Sequence, residues 1–112
     1  MLIRRLVCSD AVAYQDLRLA ALRDCPSAFS SSYEEECDTP LAEIAAHMAP
    51  DSRRKRVGAF DGERLVGLVA VGRETGQKVG HKDFIGGMYV RPEYRGTGTG
   101  RRLLHAALEC LA

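Results

Sequence analysis

The arrangement of apolar and polar residues changes its period in the middle of the chain. In the first half, apolar residues recur at helical spacing after one short apolar stretch at Leu2–Val7. This pattern predicts a first strand over Leu2–Val7 and a first helix that continues to Asp24. Ser9 is the predicted N-cap of that helix, because its hydroxyl can accept a hydrogen bond from a first-turn amide. The helix is expected to end at Cys25-Pro26, since the residue before a proline avoids helical backbone angles.

A second helix is expected to follow an acidic, irregular connection over residues 27–39. Pro40 suits the first turn of that helix, because a first-turn residue needs no backbone N–H. Four apolar residues would lie on one of its faces: Leu41, Ile44, Ala45 and Met48. The polar and mostly basic stretch at 51–56 is predicted to be a solvated loop.

The second half of the chain has the features of β-strands. Val57–Phe60 and Arg64–Val71 are predicted strands, and Asp61-Gly62 between them indicates a tight hairpin. A looser turn at Glu74-Thr75-Gly76 would lead to a further strand, Asp83–Val90. Two consecutive glycines inside that strand indicate a β-bulge or a close approach of another backbone.

The last predicted elements are a loop over Arg91–Gly98 and a helix that begins near Thr99. The apolar face of this helix would carry Leu103, Leu104, Ala107, Leu108 and Leu111. The order of elements is then β-α-α-β-β-β-α in a single domain, residues 1–112. Because strands joined by hairpins pair antiparallel, the sequence predicts an α/β (α+β) fold with a mixed, mostly antiparallel sheet and flanking helices.

The composition excludes several classes of function. The chain has 16 Lys and Arg against 15 Asp and Glu, so the net charge is only +1. No global field would attract nucleic acid or an anionic membrane. The short basic run Arg53–Arg56 lacks the interleaved aromatics of a nucleic-acid surface, and no run of about 18 apolar residues could span a bilayer. We therefore expect no nucleic-acid partner and no membrane partner, so any anion must be held by a local site.

The cysteines are widely spaced, at Cys8, Cys25, Cys37 and Cys110. This spacing is typical neither of a zinc knuckle nor of a disulfide framework, and it favours reduced thiols in the cytoplasm. A metal site built from Cys37, His47 and His81 stays an alternative, although its spacing departs from the usual signatures. The prediction is a cytoplasmic protein without a bound metal.

The segment with the most specific chemistry is the glycine-rich loop Arg95–Gly100, between an apolar strand and an amphipathic helix. Its three alternate glycines allow positive φ angles and leave no side chains in the way of a ligand. The free amides and the dipole of the following helix favour an anion such as phosphate or pyrophosphate. Arg95, Arg101 and Arg102 add positive charge, and arginine can bind phosphate in a bidentate manner.

Two other phosphate loops do not fit this segment. A Walker loop needs Lys and Ser or Thr after its last glycine, whereas Arg101-Arg102 follow Gly100. A Rossmann fingerprint needs the spacing G-x-G-x-x-G and an acidic residue about 20 positions later, whereas the spacing here is G-x-G-x-G. A tight turn with solvated arginines remains an alternative, although a turn does not require three glycines.

The motif Arg95-x-x-Gly98-x-Gly100 resembles the acetyl-CoA motif of the GNAT superfamily of N-acetyltransferases, whose pattern is Gln/Arg-x-x-Gly-x-Gly/Ala. Its context is similar to one broad group of bacterial members, in which residues like His81-Lys82 stand upstream of a strand like Gly87-Met88-Tyr89-Val90. The same group resembles the first half in Leu17-Arg18-x-x-Ala21-Leu22, followed by Pro26-Ser27-Ala28-Phe29-x-x-Ser32-Tyr33-Glu34-Glu35. The resemblance covers essentially the whole chain.

The resemblance implies a GNAT-like acyl-CoA N-acyltransferase fold and an enzyme that moves acetyl from the cosubstrate acetyl-CoA to a primary amine by direct attack on the thioester. The backbone of Met88–Val90 would bind the pantetheine arm, and an amide near Met88 would polarise the thioester carbonyl. Amides from Arg95 to Gly100 would hold the pyrophosphate. The implied cofactor-binding residues are Met88, Tyr89, Val90, Arg95, Gly96, Thr97, Gly98, Thr99, Gly100 and Arg101.

The resemblance also implies that this chain stops before the family's fold is finished. A complete member continues with a strand, a helix and two closing strands, and often supplies there a tyrosine that protonates the leaving thiolate. No residue here matches that tyrosine. The remaining catalytic candidates could take a proton from a substrate ammonium, and they are Tyr33, Glu34, Glu35 and His81. The other interpretation is a solvated acidic loop and a surface histidine.

The expected acceptor is a small-molecule or peptide amine. The alternative function is a non-catalytic CoA-binding or oligomerising module, which would keep the phosphate loop without turnover. Because Asp83–Val90 would be an edge strand with uncovered apolar surface beside it, we expect a homo-oligomer, most simply a two-fold dimer.

Overall fold

An antiparallel sheet forms the centre of the structure. The structure is a computed structural model, and it describes residues 1–28, 32–49, 54–76 and 80–111. Its strands are β1 (Leu2–Arg5), β2 (Arg54–Asp61), β3 (Arg64–Gly76) and β4 (Gly80–Val90), and they lie in that order across the sheet. The helices are α1 (Ala11–Asp24), α2 (Tyr33–Glu36), α3 (Leu41–His47) and α4 (Thr99–Leu111). Short 3-10 turns occupy Cys8–Asp10, Pro26–Ala28 and Pro92–Tyr94. No helix of the described ranges is long and apolar enough to cross a bilayer.

Helices cover both faces of the sheet. Successive strand residues point to opposite sides, so the strands place apolar side chains on each face. The face under α1 and α3 buries Leu6, Ala11, Leu17, Ala21, Ile44, Met48, Phe60, Leu65, Leu68 and Tyr89. The face under α4 buries Val57, Ala59, Val66, Val69, Val71, Leu103 and Ala107. The predicted fold class is confirmed, and each pair of neighbouring strands in the described residues is antiparallel.

The entry into α1 differs from the prediction. β1 ends at Arg5 rather than Val7, and a 3-10 turn with Asp10 as its last residue precedes the helix. The N–H of Val7 donates to Asp10 Oδ2 at 2.7 Å, so Asp10 satisfies the free amide at this turn. The prediction of Ser9 as the N-cap is therefore wrong, because Ser9 lies inside the turn, one residue ahead of Asp10.

Asp10→Asn should lower the stability at neutral pH, and its difference from the wild type should shrink as the pH falls below about 4, the usual pKa of an aspartate. Hydrogen bonds from Arg4 and then from the Val7 N–H hold the pKa of Asp10 below its ordinary value. A lowered folded-state pKa stabilises fully above the unfolded-state pKa, and this contribution is lost as the pH falls through the folded-state pKa. Thermal unfolding from about pH 7 to about pH 3 measures it. A difference in Tm that does not change over this range would contradict the assignment.

The connection between α1 and α3 is more regular than its sequence suggests. The end of α1 at Asp24 is confirmed, with the N–H of Cys25 donating to Ala21 O at 2.9 Å. Residues 27–39 were expected to be irregular, yet they contain α2, which Ser32 caps by accepting from the N–H of Glu35. Part of this connection, 29–31, lies outside the described residues.

Helix α3 follows as predicted, but with two differences at its start. Pro40 is its N-cap rather than a first-turn residue. Ile44 and Met48 are buried as expected, whereas Leu41 is exposed.

The strands extend further than the apolar pattern predicts. β2 begins at Arg54, so the basic stretch predicted as a loop is partly strand, and residues 51–53 lie outside the described residues. β3 continues to Gly76, so the predicted turn at 74–76 is wrong. β3 pairs with β2 on one side and with β4 on the other, and these ladders hold polar residues in the sheet despite their weak strand propensity. The hairpin between β2 and β3 is confirmed, with Asp61 opposite Arg64 and Gly62 at φ 61°.

Helix α4 begins at Thr99 as predicted, but fewer of its apolar residues are buried than the apolar pattern suggests. Leu103 and Ala107 are fully buried, whereas Leu104 and Leu108 are 38% and 51% exposed. The side chain of Leu111 lies outside the described residues. The helix packs on the sheet through Leu103 and Ala107, with Ala106 and Cys110 partly buried beside them. Leu104 and Leu108 of the predicted apolar face are therefore left exposed.

Candidate functional site

The glycine-rich loop between β4 and α4 has an open backbone. Gly96 and Gly98 adopt positive φ angles of 80° and 85°, which residues with side chains rarely occupy. A Cβ atom at either position would meet nothing within 4 Å. The N–H groups of Gly96, Thr97 and Gly98 form no hydrogen bond with the part of the chain that the structure describes, whereas the N–H of Arg95 donates to Pro92 O at 3.2 Å. The loop therefore presents free backbone donors beside open space.

Helix α4 adds the polarity of a helix N-terminus directly behind this loop. The N–H of Arg102 donates to Gly98 O at 3.1 Å, so the amides of residues 99–101 precede the intrahelical bonds. Thr99 is buried, and its hydroxyl lies 2.9 Å from the hydroxyl of Thr97, which ties the loop to the helix. The helix has 13 residues, and the partial positive charge at its start favours the binding of an anion next to the loop.

The three arginines near the loop differ in what they contact. Arg95 donates from Nε to Val90 O at 2.9 Å and from Nη2 to Asp24 Oδ2 at 3.0 Å. Arg102 donates to a carbonyl of the N-terminal residue at 3.4 Å. Arg101 is exposed, and its side chain forms no hydrogen bond or ion pair with the described residues. Arg101 thus keeps its donors for an external anion, while Arg95 is engaged within the protein.

Strand β4 carries the bulge that its glycines predict. Its pairing with β3 shifts by one residue between Gly86 and Tyr89, and Gly87 inside this interval has φ 63°. Met88 is 39% exposed, and its Sδ lies 3.9 Å from the point where a Cβ of Gly100 would be. The bulge and the start of α4 are therefore neighbours, and the prediction of a bulge is confirmed.

Strand alternation alone does not tell which face each implied binding residue of β4 occupies. Tyr89 is buried on the α1 face, where its hydroxyl donates to Asp24 Oδ2 at 3.1 Å, and Val90 packs on the α4 face. Burial, and then the Asp24 carboxylate, raise the pKa of Tyr89. Hydrogen bonds from Arg95 and then from Tyr89 lower the pKa of Asp24. Asp24 is therefore an ionised acceptor shared by β4 and the glycine loop.

The acidic candidates lie on α2, and two of them have partners of their own. Tyr33 Oη accepts from Arg23 Nη2 at 2.6 Å. Glu35 Oε1 accepts from the hydroxyl of Ser32 at 3.1 Å, while its N–H donates back to that hydroxyl at 3.3 Å. This reciprocal pair is a capping arrangement that stabilises the start of α2. Glu34 has an exposed side chain.

A further carboxylate of α2 was missed from the sequence. Glu36 and Arg18 form a two-point ion pair, with Nε–Oε1 at 2.9 Å and Nη2–Oε2 at 3.0 Å. Arg18 Nη1 lies 3.8 Å from the point where a Cβ of Gly87 would be, so the pair stands beside the bulge. Arg18 belongs to a segment that resembles the family, but nothing in the sequence pairs it with Glu36.

His81 lies within β4, opposite Thr75 of β3. The predicted start of this strand at Asp83, which would leave His81 before the strand, is therefore wrong, because the β3–β4 pairing continues to Gly76 and Gly80. The side chain of His81 lies outside the described residues, so the alternative metal site that includes it stays untested. Among the side chains that are described, no group of three His, Cys, Asp or Glu residues could hold a metal ion.

A concavity of about 770 Å³ lies away from the glycine loop, between the start of α1 and the β2–β3 hairpin. Its charged side chains largely satisfy one another: Arg4 pairs with Asp10 at 2.8 Å, and Arg91 pairs with Asp16 at 3.1 Å. Because these charges are already paired, this concavity offers a ligand less than the free amides of the glycine loop do. We therefore take the loop and the adjacent bulge as the candidate site.

A sequence profile described as the acetyltransferase (GNAT) family matches residues 15–112. Among curated proteins, no relative matches the chain significantly.

Several crystal structures share the fold. A ribosomal-protein-alanine N-acetyltransferase from Brucella melitensis biovar Abortus 2308 is 22% identical, with a TM-score of 0.68 over 97% of this chain and 69% of that chain. A predicted acetyltransferase from Clostridium acetobutylicum, in a structure with acetyl-CoA, is 18% identical, with a TM-score of 0.72 over 96% of this chain and 71% of that chain. An aminoglycoside acetyltransferase from an uncultured soil metagenomic sample is 17% identical, with a TM-score of 0.75 over 97% of this chain and 70% of that chain.

Proposed function

The chain belongs to the acetyltransferase (GNAT) family, and on that premise we propose that it transfers acetyl from acetyl-CoA to a primary amine by direct attack of the amine on the thioester. The observation that carries the cofactor part is the loop itself: free amides at Gly96, Thr97 and Gly98, with open space where side chains would be. A pyrophosphate needs such closely spaced donors at a helix N-terminus.

The residues of the loop fit the pyrophosphate of this cosubstrate. The amides of residues 96–100 would donate to the phosphate oxygens, because no side chain obstructs the two glycines with positive φ. Arg101 would add a cation, and the shared hydroxyl contact of Thr97 and Thr99 would keep the loop on the helix. When bound, acetyl-CoA supplies an acetyl group activated as a thioester.

The bulge of β4 would bind the pantetheine arm and the acetyl carbonyl. Backbone groups of Met88 are the proposed contacts, since the Val90 carbonyl already accepts from Arg95 and the Tyr89 backbone pairs with Leu68 of β3. An N–H near Met88 would donate to the thioester oxygen as negative charge develops on it. In the transfer, the C–N bond forms while the C–S bond breaks, the amine loses a proton and the thiolate gains one.

The proton acceptor in this reaction is proposed from the residues of α2 and β4. Glu34 is the strongest candidate, because its carboxylate is exposed while Glu35 caps α2 and Tyr33 contacts Arg23. His81 stays a second candidate. The acceptor is proposed to be a small-molecule or peptide amine. One similar structure is named for a ribosomal-protein alanine substrate and another for aminoglycosides.

Two measurements on the wild-type chain test this function. Acetyl-CoA should raise its Tm, since a ligand that binds only the folded state stabilises it. Release of free CoA with a panel of amines should then detect turnover. Binding without release by any amine would favour the alternative, a non-catalytic CoA-binding or oligomerising module. Absence of acetyl-CoA binding would contradict both the enzyme and the CoA-binding module.

We further propose that the 112-residue chain self-associates through the side of the sheet at β4. This strand is one of the two edges of the described sheet, and an unpaired edge recruits other chains. Among the described side chains of β4 and α4, the exposed large apolar ones are Ile85, Met88, Leu104 and Leu108. A two-fold axis would place this surface against its own copy.

The proposed location is the cytoplasm, where thiols such as the four free cysteines stay reduced.

Light scattering over a dilution series measures this assembly. Leu108→Glu should shift the chain towards monomer, because it places a charge in the apolar surface. Val12→Glu is the matched control, since Val12 is also exposed and apolar but lies on α1. A wild-type chain that stays monomeric at micromolar concentration would contradict the proposal.

A further inference from the structure

We propose that Asp24 is a positioning residue, which holds the glycine loop in the conformation that binds pyrophosphate. The inference rests on the proposed function, because it assigns Asp24 to that same site. Asp24 is the last residue of α1 and stands 71 positions before Arg95 in the chain. A single carboxylate oxygen, Oδ2, accepts from Arg95 Nη2 at 3.0 Å and from Tyr89 Oη at 3.1 Å.

These contacts join three elements at one point: the end of α1, β4 and the loop. Arg95 extends the connection, because its Nε donates to Val90 O at 2.9 Å. The guanidinium therefore spans the corner at which β4 turns into the loop. Its position is fixed at both ends, by Val90 within the corner and by Asp24 outside it.

The position of Asp24 in its helix supports a role beyond α1. A negative charge at a helix C-terminus opposes the helix dipole, so an aspartate there is unfavourable for the helix alone. The hydrogen bonds from Arg95 and Tyr89 nevertheless lower the pKa of Asp24 and keep it ionised. The carboxylate thus stabilises its partners in β4 and the loop at the expense of its own helix.

Anchoring matters here because of the residues that follow Arg95. Gly96 and Gly98 have more conformational freedom than other residues, and a mobile loop must be ordered when a ligand binds. Fixing the side chain of Arg95 restricts the first residue of the loop before binding. This role differs from direct contact with phosphate, which Arg101 is free to make.

Asp24→Asn should lower the affinity for acetyl-CoA by about three- to tenfold, the scale expected for losing the charge from a partly exposed hydrogen-bonded pair. The affinity for acetyl-pantetheine, which lacks the pyrophosphate, should fall much less. Asp16→Asn is the matched control, because Asp16 is also on α1 and also pairs with an arginine, Arg91, at 3.1 Å. This control should leave the preference for acetyl-CoA over acetyl-pantetheine unchanged.

Isothermal titration of both ligands, with Tm measured without ligand, gives the required comparison. In an Arg95→Gln background, Asp24→Asn should have little further effect, since the two residues act through one contact. Equal losses for both ligands, or full additivity with Arg95→Gln, would overturn the positioning role. Unchanged affinity in Asp24→Asn would also overturn it. If the wild type binds no acetyl-CoA, the proposed function itself fails, which is a distinguishable result.

Discussion

Gly98→Glu should remove most of the thermal stabilisation that acetyl-CoA gives to the wild-type protein. A ligand at about 100 times its Kd stabilises the folded state by about 2.7 kcal/mol. For a domain of about 100 residues this corresponds to a rise in Tm of about 13 °C. A glutamate at Gly98 would place a bulky carboxylate over the free amides, where the pyrophosphate is proposed to bind. Repulsion between like charges and the lost space both oppose binding.

Two control variants separate this effect from backbone strain. Gly98→Ala meets the same unfavourable φ of 85° without the charge, so it should lower the Tm without ligand and keep part of the ligand-induced shift. Gly62→Glu puts the same side chain at φ 61° in the β2–β3 hairpin, where a Cβ also meets nothing within 4 Å. It should keep the whole shift. If Gly98→Glu and the wild type respond alike to acetyl-CoA, the assignment of the loop is wrong.

The part of the site that could be predicted is the part encoded locally. Three glycines, an arginine before them and a helix after them are contiguous in sequence, and their chemistry follows from backbone geometry. Asp24 could not be found this way, because its partner Arg95 is 71 positions distant. In the sequence alone, Asp24 is recognisable only as the end of a helix. Arg18 and Glu36 are 18 positions apart, on helices whose relative placement depends on the packing of the whole core.

The fold shows the same division between local and distant causes. The hairpin at Gly62 and the bulge at Gly87 were predictable, since each depends on a glycine at positive φ. The turn at Asp10, which stands in place of the predicted N-cap at Ser9, was not predictable, because Asp10 accepts from the Val7 N–H and also pairs with Arg4 from β1. The length of β3 was likewise hidden. Its polar end is held in the sheet by the pairing with β4, which outweighs local propensity.

Leu103→Ala should destabilise the protein far more than Leu104→Ala, although both leucines belong to the apolar pattern of α4. Leu103 is fully buried, and one of its Cδ atoms lies 3.0 Å from the point where a Cβ of Gly67 would be. The missing side chain of Gly67 on β3 thus makes room for Leu103, which joins α4 to the sheet. Truncating a buried leucine to alanine costs about 2 to 5 kcal/mol, because the lost contacts leave a cavity.

Leu104 supplies the control for this experiment, since it is the neighbouring residue and has the same chemistry. Its side chain is 38% exposed, so its truncation should cost about 1 kcal/mol or less. Denaturant unfolding at equal protein concentration measures both changes, and concentration must be fixed because an oligomer gains stability by mass action. If both variants lose similar stability, α4 is not packed along the line that the burial of Leu103 and Ala107 defines. A larger loss for Leu104→Ala at high concentration only would instead assign Leu104 to the contact between copies, which agrees with the proposed self-association at this face of the molecule.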